Sequence, residues 1–156
     1  MKVEEYFFRY AYPCSDMLVK LGKLDKERKK ILDTEFESNV IPTKLELEEC
    51  FPEAFRRIKQ IAREMNRDYW DMVVIKKYFT EEHNKFIDAN DGTYAKLPDT
   101  IKNICKVYVA EILDVKGNIL VVKYDHKERS VINKYIEDVK KGDKVTIHFG
   151  FAVEKV

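Results

Sequence analysis

The side chains of this sequence that could do chemistry are its thiols and imidazoles, and three of them have informative neighbours: Cys14, Cys105 and His148. A thiolate is both a nucleophile and a metal ligand, and a neutral imidazole binds borderline metals well. Cys14 follows Pro13 directly before a predicted helix, where the positive end of the helix dipole lowers a thiol pKa. Cys14 is therefore the better candidate for a reactive thiol, whereas Cys105, with apolar neighbours, is either a buried apolar residue or a functional thiol.

The C-terminal segment brings a histidine, a glycine and an aromatic residue close together in sequence. In the alternating run over residues 145–149, His148 takes the phase of Thr146, opposite to the apolar residues. Two interpretations stay open, a surface histidine on a strand or a histidine that binds a metal. Gly150 predicts a bend or a bulge, and Phe151 is either a core residue or an exposed anchor for a partner.

Sequence patterns of known catalytic sites are otherwise absent. The Glu81-Glu82-His83 run lacks the spacing of a metal-binding helix and predicts a solvated face. The chain has three histidines, no CxxC pair, and five scattered glycines that form no phosphate-binding loop. We therefore expect a binding or assembly protein rather than an enzyme, and an enzyme with a catalytic thiol at Cys14 or Cys105 is the least favoured class.

Composition excludes several classes of partner. The 156 residues carry 29 basic and 28 acidic side chains, a net charge of +1, so no strong field draws the whole molecule to nucleic acid or to anionic lipid. No apolar run approaches the roughly 20 residues that span a bilayer, so no membrane span is predicted. Several charged residues lie among the first 20, so no signal peptide is predicted either. Three widely spaced cysteines favour a reducing, cytoplasmic location. The abundance of Lys, Glu, Ile and Val beside a single glutamine is typical of proteins from hot environments.

The period of the apolar residues changes along the chain, from helical up to about residue 88 to alternating after residue 103. The residues between these stretches are rich in turn formers and predict a linker. We therefore predict two domains, a helical domain over residues 1–100 and a small β-domain over residues 101–156.

Local signals place the helices of the first domain. Thr43 and Glu46 have the spacing of a capping box, and Pro52 suits the first turn of the next helix. On that helix Arg56 and Arg57 fall outside the apolar stripe and are expected to face water. Three further residues are predicted to cap the starts of helices, namely Ser15, Asp68 and Thr80. Together these helices form a predicted bundle of four to six.

Five short strands are predicted in the second domain, at residues 107–113, 119–124, 129–132, 144–148 and 153–156. A flat sheet of five such strands leaves exposed edges, so we expect the strands to curl into a barrel. The predicted fold class is α+β, with an N-terminal helical bundle followed by a small C-terminal five-stranded OB-like β-barrel.

The run from Gly142 to Val156, GDKVTIHFGFAVEKV, resembles the closing segment of the HypC/HupF family of hydrogenase-maturation chaperones. Three upstream pieces are similar to the family pattern: Val109–Ile112, Val122–Tyr124 with Arg129, and Glu137–Asp143. The resemblance covers about the last 50 residues. Its most specific part is the order Gly-Asp, His, Gly-Phe-Ala, which no generic turn requires.

This resemblance implies an oligonucleotide-fold-like barrel that binds a HypD-like iron–sulfur protein. It further implies delivery of iron to the large-subunit precursor of a nickel–iron hydrogenase, so that the expected cofactor is a transient iron. His148 matches the histidine with which the family handles iron. Gly150 and Phe151 are then candidates for partner binding, and Cys105 and Cys14 are the candidate thiols.

The chain departs from the family at its cysteine, which directly follows the initiator methionine, because position 2 here is Lys2. Cys105 lies six residues before Glu111, where the family spacing is about nine. A shift of three residues in an extended chain displaces a thiol by roughly 10 Å. A role as an interaction module that carries no iron is therefore an open alternative.

A second class of function also stays open, that of a small nucleic-acid-binding β-barrel protein. Residues 101–156 have a net charge of +3, and three tyrosines are available for stacking on bases: Tyr108, Tyr124 and Tyr135. The basic excess is modest and the closing motif points to the chaperone family, so we expect a protein partner rather than a nucleic acid.

Overall fold

The computed structural model describes all 156 residues, which divide into two compact units, Met1–Leu97 and Pro98–Val156. The first unit is helical and the second contains the strands. The α+β class predicted from the sequence is thus confirmed, with the helices preceding a small β-barrel.

The helical unit has seven α-helices rather than the four to six predicted. They are α1 (Val3–Ala11), α2 (Ser15–Lys20), α3 (Lys26–Glu37), α4 (Lys44–Cys50), α5 (Pro52–Met65), α6 (Met72–Lys77) and α7 (His83–Asp88). A π-helical segment, Tyr78–Glu82, joins α6 to α7, and short 3-10 segments occupy Tyr12–Cys14 and Gly92–Lys96. None of these helices, nor the one in the second unit, combines the length and the apolar character needed to cross a bilayer.

The capping box predicted at the start of α4 is confirmed. Thr43 Oγ1 accepts a hydrogen bond from the Glu46 amide at 3.2 Å, and the Thr43 amide donates to Glu46 Oε2 at 2.7 Å. These two bonds satisfy donors that the helix itself leaves without partners. Pro52 begins α5, also as predicted, because its missing amide hydrogen costs nothing in the first turn.

Three predicted capping positions are wrong. Asp68 accepts from the Trp70 amide at 2.7 Å in a turn, and α6 is capped instead by Asp71, which accepts from the Val73 amide at 2.8 Å. Thr80 lies inside the π-helical segment, where its hydroxyl donates to the carbonyl of Lys76 at 2.8 Å. Asp and Thr side chains bond to nearby backbone in turns and in helices as readily as at caps, which explains these errors. Ser15 is the first residue of α2 and does not cap it.

Aromatic rings fill the centre of the helical unit. Phe7 on α1 is fully buried, and its ring centroid lies 4.7 to 5.8 Å from those of four other rings, which belong to Phe51, Phe55, Trp70 and Phe79. Such tilted and edge-on pairs add to the gain from buried apolar area. Trp70, the single tryptophan of the chain, therefore reports on the packing of this core.

The second unit consists of the helix α8 (Asp99–Cys105) and a closed barrel of five strands. The strands are β1 (Tyr108–Lys116), β2 (Ile119–Tyr124), β3 (Lys127–Asn133), β4 (Lys144–His148) and β5 (Phe151–Lys155). Their order around the barrel is β1-β2-β3-β5-β4, antiparallel except for the parallel pair β3 and β5. Closure removes the free edges that a flat sheet would leave, as expected for an OB-like barrel.

The barrel interior is filled by alternate residues of every strand. Its core consists of eight aliphatic side chains, all at most 1% exposed: Ala110, Ile112, Leu120, Val122, Val131, Val145, Ile147 and Ala152. Alternation assigns the residues of β2, of β3 and of β1 up to Ile112 to the inner or the outer face, because successive side chains of a strand point to opposite sides. After Ile112 a bulge shifts the register of β1.

Gly92, in the helical unit, combines a left-handed backbone with close side-chain neighbours. Its φ is +55°, and a Cβ added there would lie 2.7 Å from Glu53 Oε2 and 3.3 Å from Arg57 Nη2. Gly22 has a similar φ of +71° but open space around it. Both glycines therefore have a left-handed backbone, but only Gly92 has neighbouring atoms where a Cβ would lie.

We expect Gly92→Ala to destabilise the helical unit by about 2–4 kcal/mol, because left-handed backbone and overpacking both oppose the methyl group. The matched control, Gly22→Ala, is expected to cost only about 1 kcal/mol, from the backbone alone. Denaturant unfolding followed by Trp70 fluorescence measures both changes. Equal losses for the two variants would show that crowding around Gly92 has no energetic weight.

Candidate functional site

Within the second unit, the structure brings together two of the predicted site residues, Cys105 and His148. Cys105 is the last residue of α8 and His148 the last residue of β4. Both are fully buried, and the Cys105 sulfur lies within 4.8 Å of an imidazole nitrogen of His148. Thiolate and imidazole are ligands that suit iron, zinc and other borderline metals.

The displacement of roughly 10 Å expected for the Cys105 thiol stays a prediction, but its premise of an extended chain does not hold. That distance assumed an extended chain, which advances about 3.3 Å per residue. Cys105 ends a helix instead, where the chain advances only about 1.5 Å per residue. The residues up to Cys105 are thus helical, whereas from Lys106 to Glu111 the chain is extended and enters β1.

The interpretation of His148 as a surface histidine is wrong. It shares the phase of Thr146, as the alternation predicted, but Thr146 is only 4% exposed and His148 is 0% exposed. Both faces of β4 are therefore buried after Lys144. An alternating pattern indicates which side chains share a face, and it does not tell whether water reaches that face.

Gly150 and Phe151, the other candidates of the closing motif, lie at the turn between β4 and β5. His148 and Phe151 pair across this turn, which leaves Phe149 and Gly150 between the strands. The left-handed residue is Phe149, with a φ of 49°, while a Cβ on Gly150 would meet nothing within 4 Å. Phe151 is half-buried and pairs with Ile132 of β3. Gly150 thus fits the predicted bend, and Phe151 is neither fully core nor fully exposed.

The helical unit contains a cavity of about 40 Å³ that is lined in part by polar and ionisable side chains. Roughly 10–15 Å³ of such space holds one water molecule, so the cavity suits a few water-sized groups. Its wall is mostly apolar, but it includes thiol, guanidinium, phenol and imidazole groups, from Cys14, Cys50, Arg57, Tyr78, His83 and Tyr94.

Cys14 differs from the reactive thiol that the sequence suggested. Its thiol donates a hydrogen bond to the carbonyl of Ala11 at 3.1 Å. Burial raises the pKa of the Cys14 thiol to about 12, against smaller lowering effects of a backbone hydrogen bond and of the Arg57 charge. Desolvation therefore outweighs any effect of the short helix α2 that follows, and the thiol stays protonated at neutral pH.

Arg57 is buried, contrary to the expectation that it faces water. It is 3% exposed, its Nε donates to Asp91 Oδ2 at 2.7 Å, and its Cζ lies 4.5 Å from the Tyr94 ring centroid. Arg56 also donates to the same Asp91 oxygen. Burial alone would raise the pKa of Asp91, but the bonds from Arg57 and Arg56 lower it below its usual value. Asp91 and Tyr94, both after α7, thus provide the charge and the ring contact that allow Arg57 to be buried.

His83 is likewise buried, at 2% exposure, although the Glu81-Glu82-His83 run predicted a solvated face. The π-helical segment before it adds a residue to one turn, which rotates the following side chains around the helix axis. Its Nε2 lies 3.4 Å from Tyr94 Oη, and its Nδ1 lies 3.3 Å from Asn84 Oδ1. No sequence signal for the extra residue was recognised.

The tyrosines considered for base stacking have other contacts. The Tyr108 and Tyr124 centroids are 4.6 Å apart, and the Arg129 guanidinium lies 4.8 Å from the Tyr124 centroid. Tyr108 and Tyr124 also pack against the barrel core, and Tyr135 is half-buried in the connection from β3 to β4.

No protein-family model matches the chain, and no curated protein matches it.

We expect the native protein to protect Cys14 from alkylation. Since its pKa is about 12 instead of 9.0, the thiolate fraction at pH 7.5 falls roughly a thousandfold relative to an ordinary thiol. Timed labelling with iodoacetamide, followed by mass spectrometry of the three cysteine peptides with and without urea, measures this. Labelling of native Cys14 at the rate of free cysteine would restore the reactive-thiol interpretation.

Asp91→Asn is expected to cost about 2–3 kcal/mol at pH 7, because it removes the nearer of the two carboxylates that bond the buried Arg57, the other being Glu53 at 3.4 Å. The pKa of Asp91 is lowered by folding, so its contribution is present above about pH 4 and is lost as the pH falls through the folded value. The difference in unfolding free energy between wild type and variant should therefore shrink in acid. Asp16→Asn, at a carboxylate 82% exposed, is the control and should change stability by less than about 0.5 kcal/mol.

Proposed function

We propose that this protein is an assembly module of the HypC type, which handles iron as cargo and binds a protein partner in the maturation of a nickel–iron hydrogenase or a related metalloenzyme. The observation that carries the proposal is the proximity of Cys105 and His148 in the second unit. Cysteine and histidine are the two residue types that the HypC resemblance implies for iron handling.

The position of Cys105 supports the proposal in place of the missing N-terminal cysteine. In the family the cysteine precedes the first strand of the barrel, and here Cys105 precedes β1 by three residues. Its thiol approaches the same histidine, His148, that the closing motif identifies.

The distances suit a shared metal ion. A metal bonds a cysteine sulfur at about 2.3 Å and a histidine nitrogen at about 2.0–2.1 Å, so the two ligand atoms must lie closer than about 4.4 Å. The Cys105 and His148 atoms lie within 4.8 Å of each other, so coordination requires side-chain movement of no more than about an ångström. Both residues lie at the ends of their elements, where side-chain adjustment disturbs little regular structure.

A buried thiol binds a metal as the thiolate, so metal binding would release a proton from Cys105. Affinity should therefore rise with pH. His148 would bind through a neutral ring nitrogen.

The first test is anaerobic titration of the full chain with Co²⁺ as a spectroscopic substitute for Fe²⁺. We expect about one ion per chain and a thiolate-to-cobalt charge-transfer band, both lost or weakened at least tenfold in Cys105→Ala and in His148→Ala. The matched control is Cys14→Ala, which removes a thiol from the helical unit and should leave the band unchanged. A band that survives in Cys105→Ala would assign the metal to another thiol and overturn the site.

The second test concerns the partner. Affinity capture from an anaerobic extract of the source organism, with the tagged wild type as bait, should recover a HypD-like iron–sulfur protein or a hydrogenase large-subunit precursor. Iron in the eluate should fall in His148→Ala. Failure to recover either protein, with intact Co²⁺ binding, would mean that the pair serves a different metalloprotein.

A further inference from the structure

Arg129 stands out in the second unit because it is a charged residue on the inner face of the barrel. On β3 it shares the phase of Val131, and in the register of β2 and β3 it pairs with Val122. Val131 and Val122 are core residues with at most 1% exposure. Because directly paired residues of adjacent strands point to the same side, Arg129 continues the inner face beyond the aliphatic core.

Two tyrosines extend the same inner face beside Arg129. Tyr108 begins β1, in phase with Ala110, and Tyr124 ends β2, in phase with Val122. The guanidinium lies 4.8 Å from the Tyr124 centroid, and Tyr124 lies 4.6 Å from Tyr108 on ring centroids. The three side chains form a stack at the end of the barrel where β1 starts and β2 ends.

One edge of this guanidinium has no hydrogen-bond partner. Nε and Nη2 of Arg129 are each shielded from solvent, and neither donates to any group of the protein. These two N–H groups point in parallel, and together they form the fork that binds both oxygens of a carboxylate. A buried polar group without a partner is rare, and a bound ion is one of its ordinary explanations.

The surroundings of Arg129 also lack a compensating negative charge. No ion pair involves this residue, and the groups that act on its charge are the phenols of Tyr124 and Tyr108. Burial lowers the pKa of Arg129, and the two tyrosines oppose this only in part. A shielded cation without a counter-charge destabilises the free protein, so an anion that binds there gains from supplying the missing charge.

We infer that the Nε–Nη2 edge of Arg129 is a binding site for a carboxylate of a partner polypeptide, an Asp or Glu side chain or a C-terminus, with the Tyr124 ring supporting the guanidinium. A single fixed cation matches a single monovalent, planar anion. The inference does not depend on the Cys105–His148 pair and holds for any protein partner.

A carboxylate fits this site better than the phosphodiester of a nucleic acid. Non-specific binding of single strands relies on several phosphate contacts and on ring faces that are free to stack with bases. Here one arginine is available, and Tyr124 contacts Arg129 and Tyr108 already. The aromatic contribution to strand binding is thereby reduced.

The first experiment tests whether the Arg129 charge stabilises or destabilises the folded barrel. In Arg129→Met the shielded charge is removed and apolar contact with Tyr124 is kept, so we expect slower amide exchange at Val122 and Val131 than in wild type. A purely structural arginine, held by its contact with Tyr124, would give faster exchange at both amides, and that result would overturn the inference.

The second experiment measures binding in the full chain, with sodium acetate as the probe against sodium chloride at equal ionic strength. We expect a saturable shift of the Arg129 Nε–H resonance and of the Tyr124 amide in nitrogen-15 spectra. Acetamide, a neutral molecule of the same shape, should cause neither shift. In Arg129→Lys, which keeps the charge and loses the fork, the Tyr124 response should weaken at least fivefold.

The remaining outcomes are decisive as well. Absence of an acetate response in wild type would refute the site, and a response to an oligothymidylate without one to acetate would assign Arg129 to nucleic acid. Arg129→Met should bind Co²⁺ as wild type does. If Arg129→Met loses the acetate response and still binds Co²⁺, the proposed metal function is unaffected. If Cys105→Ala and His148→Ala lose Co²⁺ binding, the proposed carboxylate site is likewise unaffected.

Discussion

The need of a buried polar group for a partner is the constraint that shapes both units of this protein. In the helical unit, Arg57 is almost fully buried and receives its counter-charge from Asp91, so that a charge can occupy the wall of a cavity. In the second unit, Arg129 has an aromatic contact but no anion at its Nε–Nη2 edge. The protein thus contains one buried arginine whose charge is compensated and one whose Nε and Nη2 have no hydrogen-bond partner. Since an unsatisfied charge opposes folding, its presence calls for a reason other than stability.

Backbone geometry decides which polar groups become buried. The π-helical segment turns His83 towards the core of its unit, and the left-handed conformation of Gly92 lets the chain pass close to Glu53 and Arg57. Each is a local departure from regular structure that positions several side chains at once. Such departures are frequent at functional sites, where they are maintained by surrounding packing. Arg57 and His83, which adjoin these two departures, both line the cavity of the helical unit.

Sequence reasoning succeeded where the signal is local. The capping box of Thr43, the start of α5 at Pro52 and the five strands of the barrel each depend on residues a few positions apart, and all three are present. It failed where the outcome depends on distant residues. Arg57 is buried because Asp91, 34 residues later, compensates its charge. No window of neighbouring residues contains that information.

The candidate site illustrates the same limit. His148 was identified from the order of residues in the closing motif, but its burial is a tertiary property of β4. For Cys105 an extended chain was assumed, whereas the residues from Asp99 to Cys105 are helical, and a helix and an extended segment of equal length end at different places. The spacing between a ligand and a strand is therefore informative only when the intervening backbone is known.

The chemistry of a two-residue site bears on the kind of work that it can do. Structural zinc sites use four protein ligands and hold the metal as part of the fold. Cys105 and His148 supply two ligands from the second unit, and an ion held by them would have further positions for the ligands that it brings or for those of a partner protein. Fewer protein bonds also mean faster release. In the proposed function these properties are required, because a carrier must bind its cargo and then yield it. A carboxylate contact at Arg129 would add affinity for the partner without adding a ligand to the metal, so that recognition of the protein and transfer of the ion would depend on different side chains.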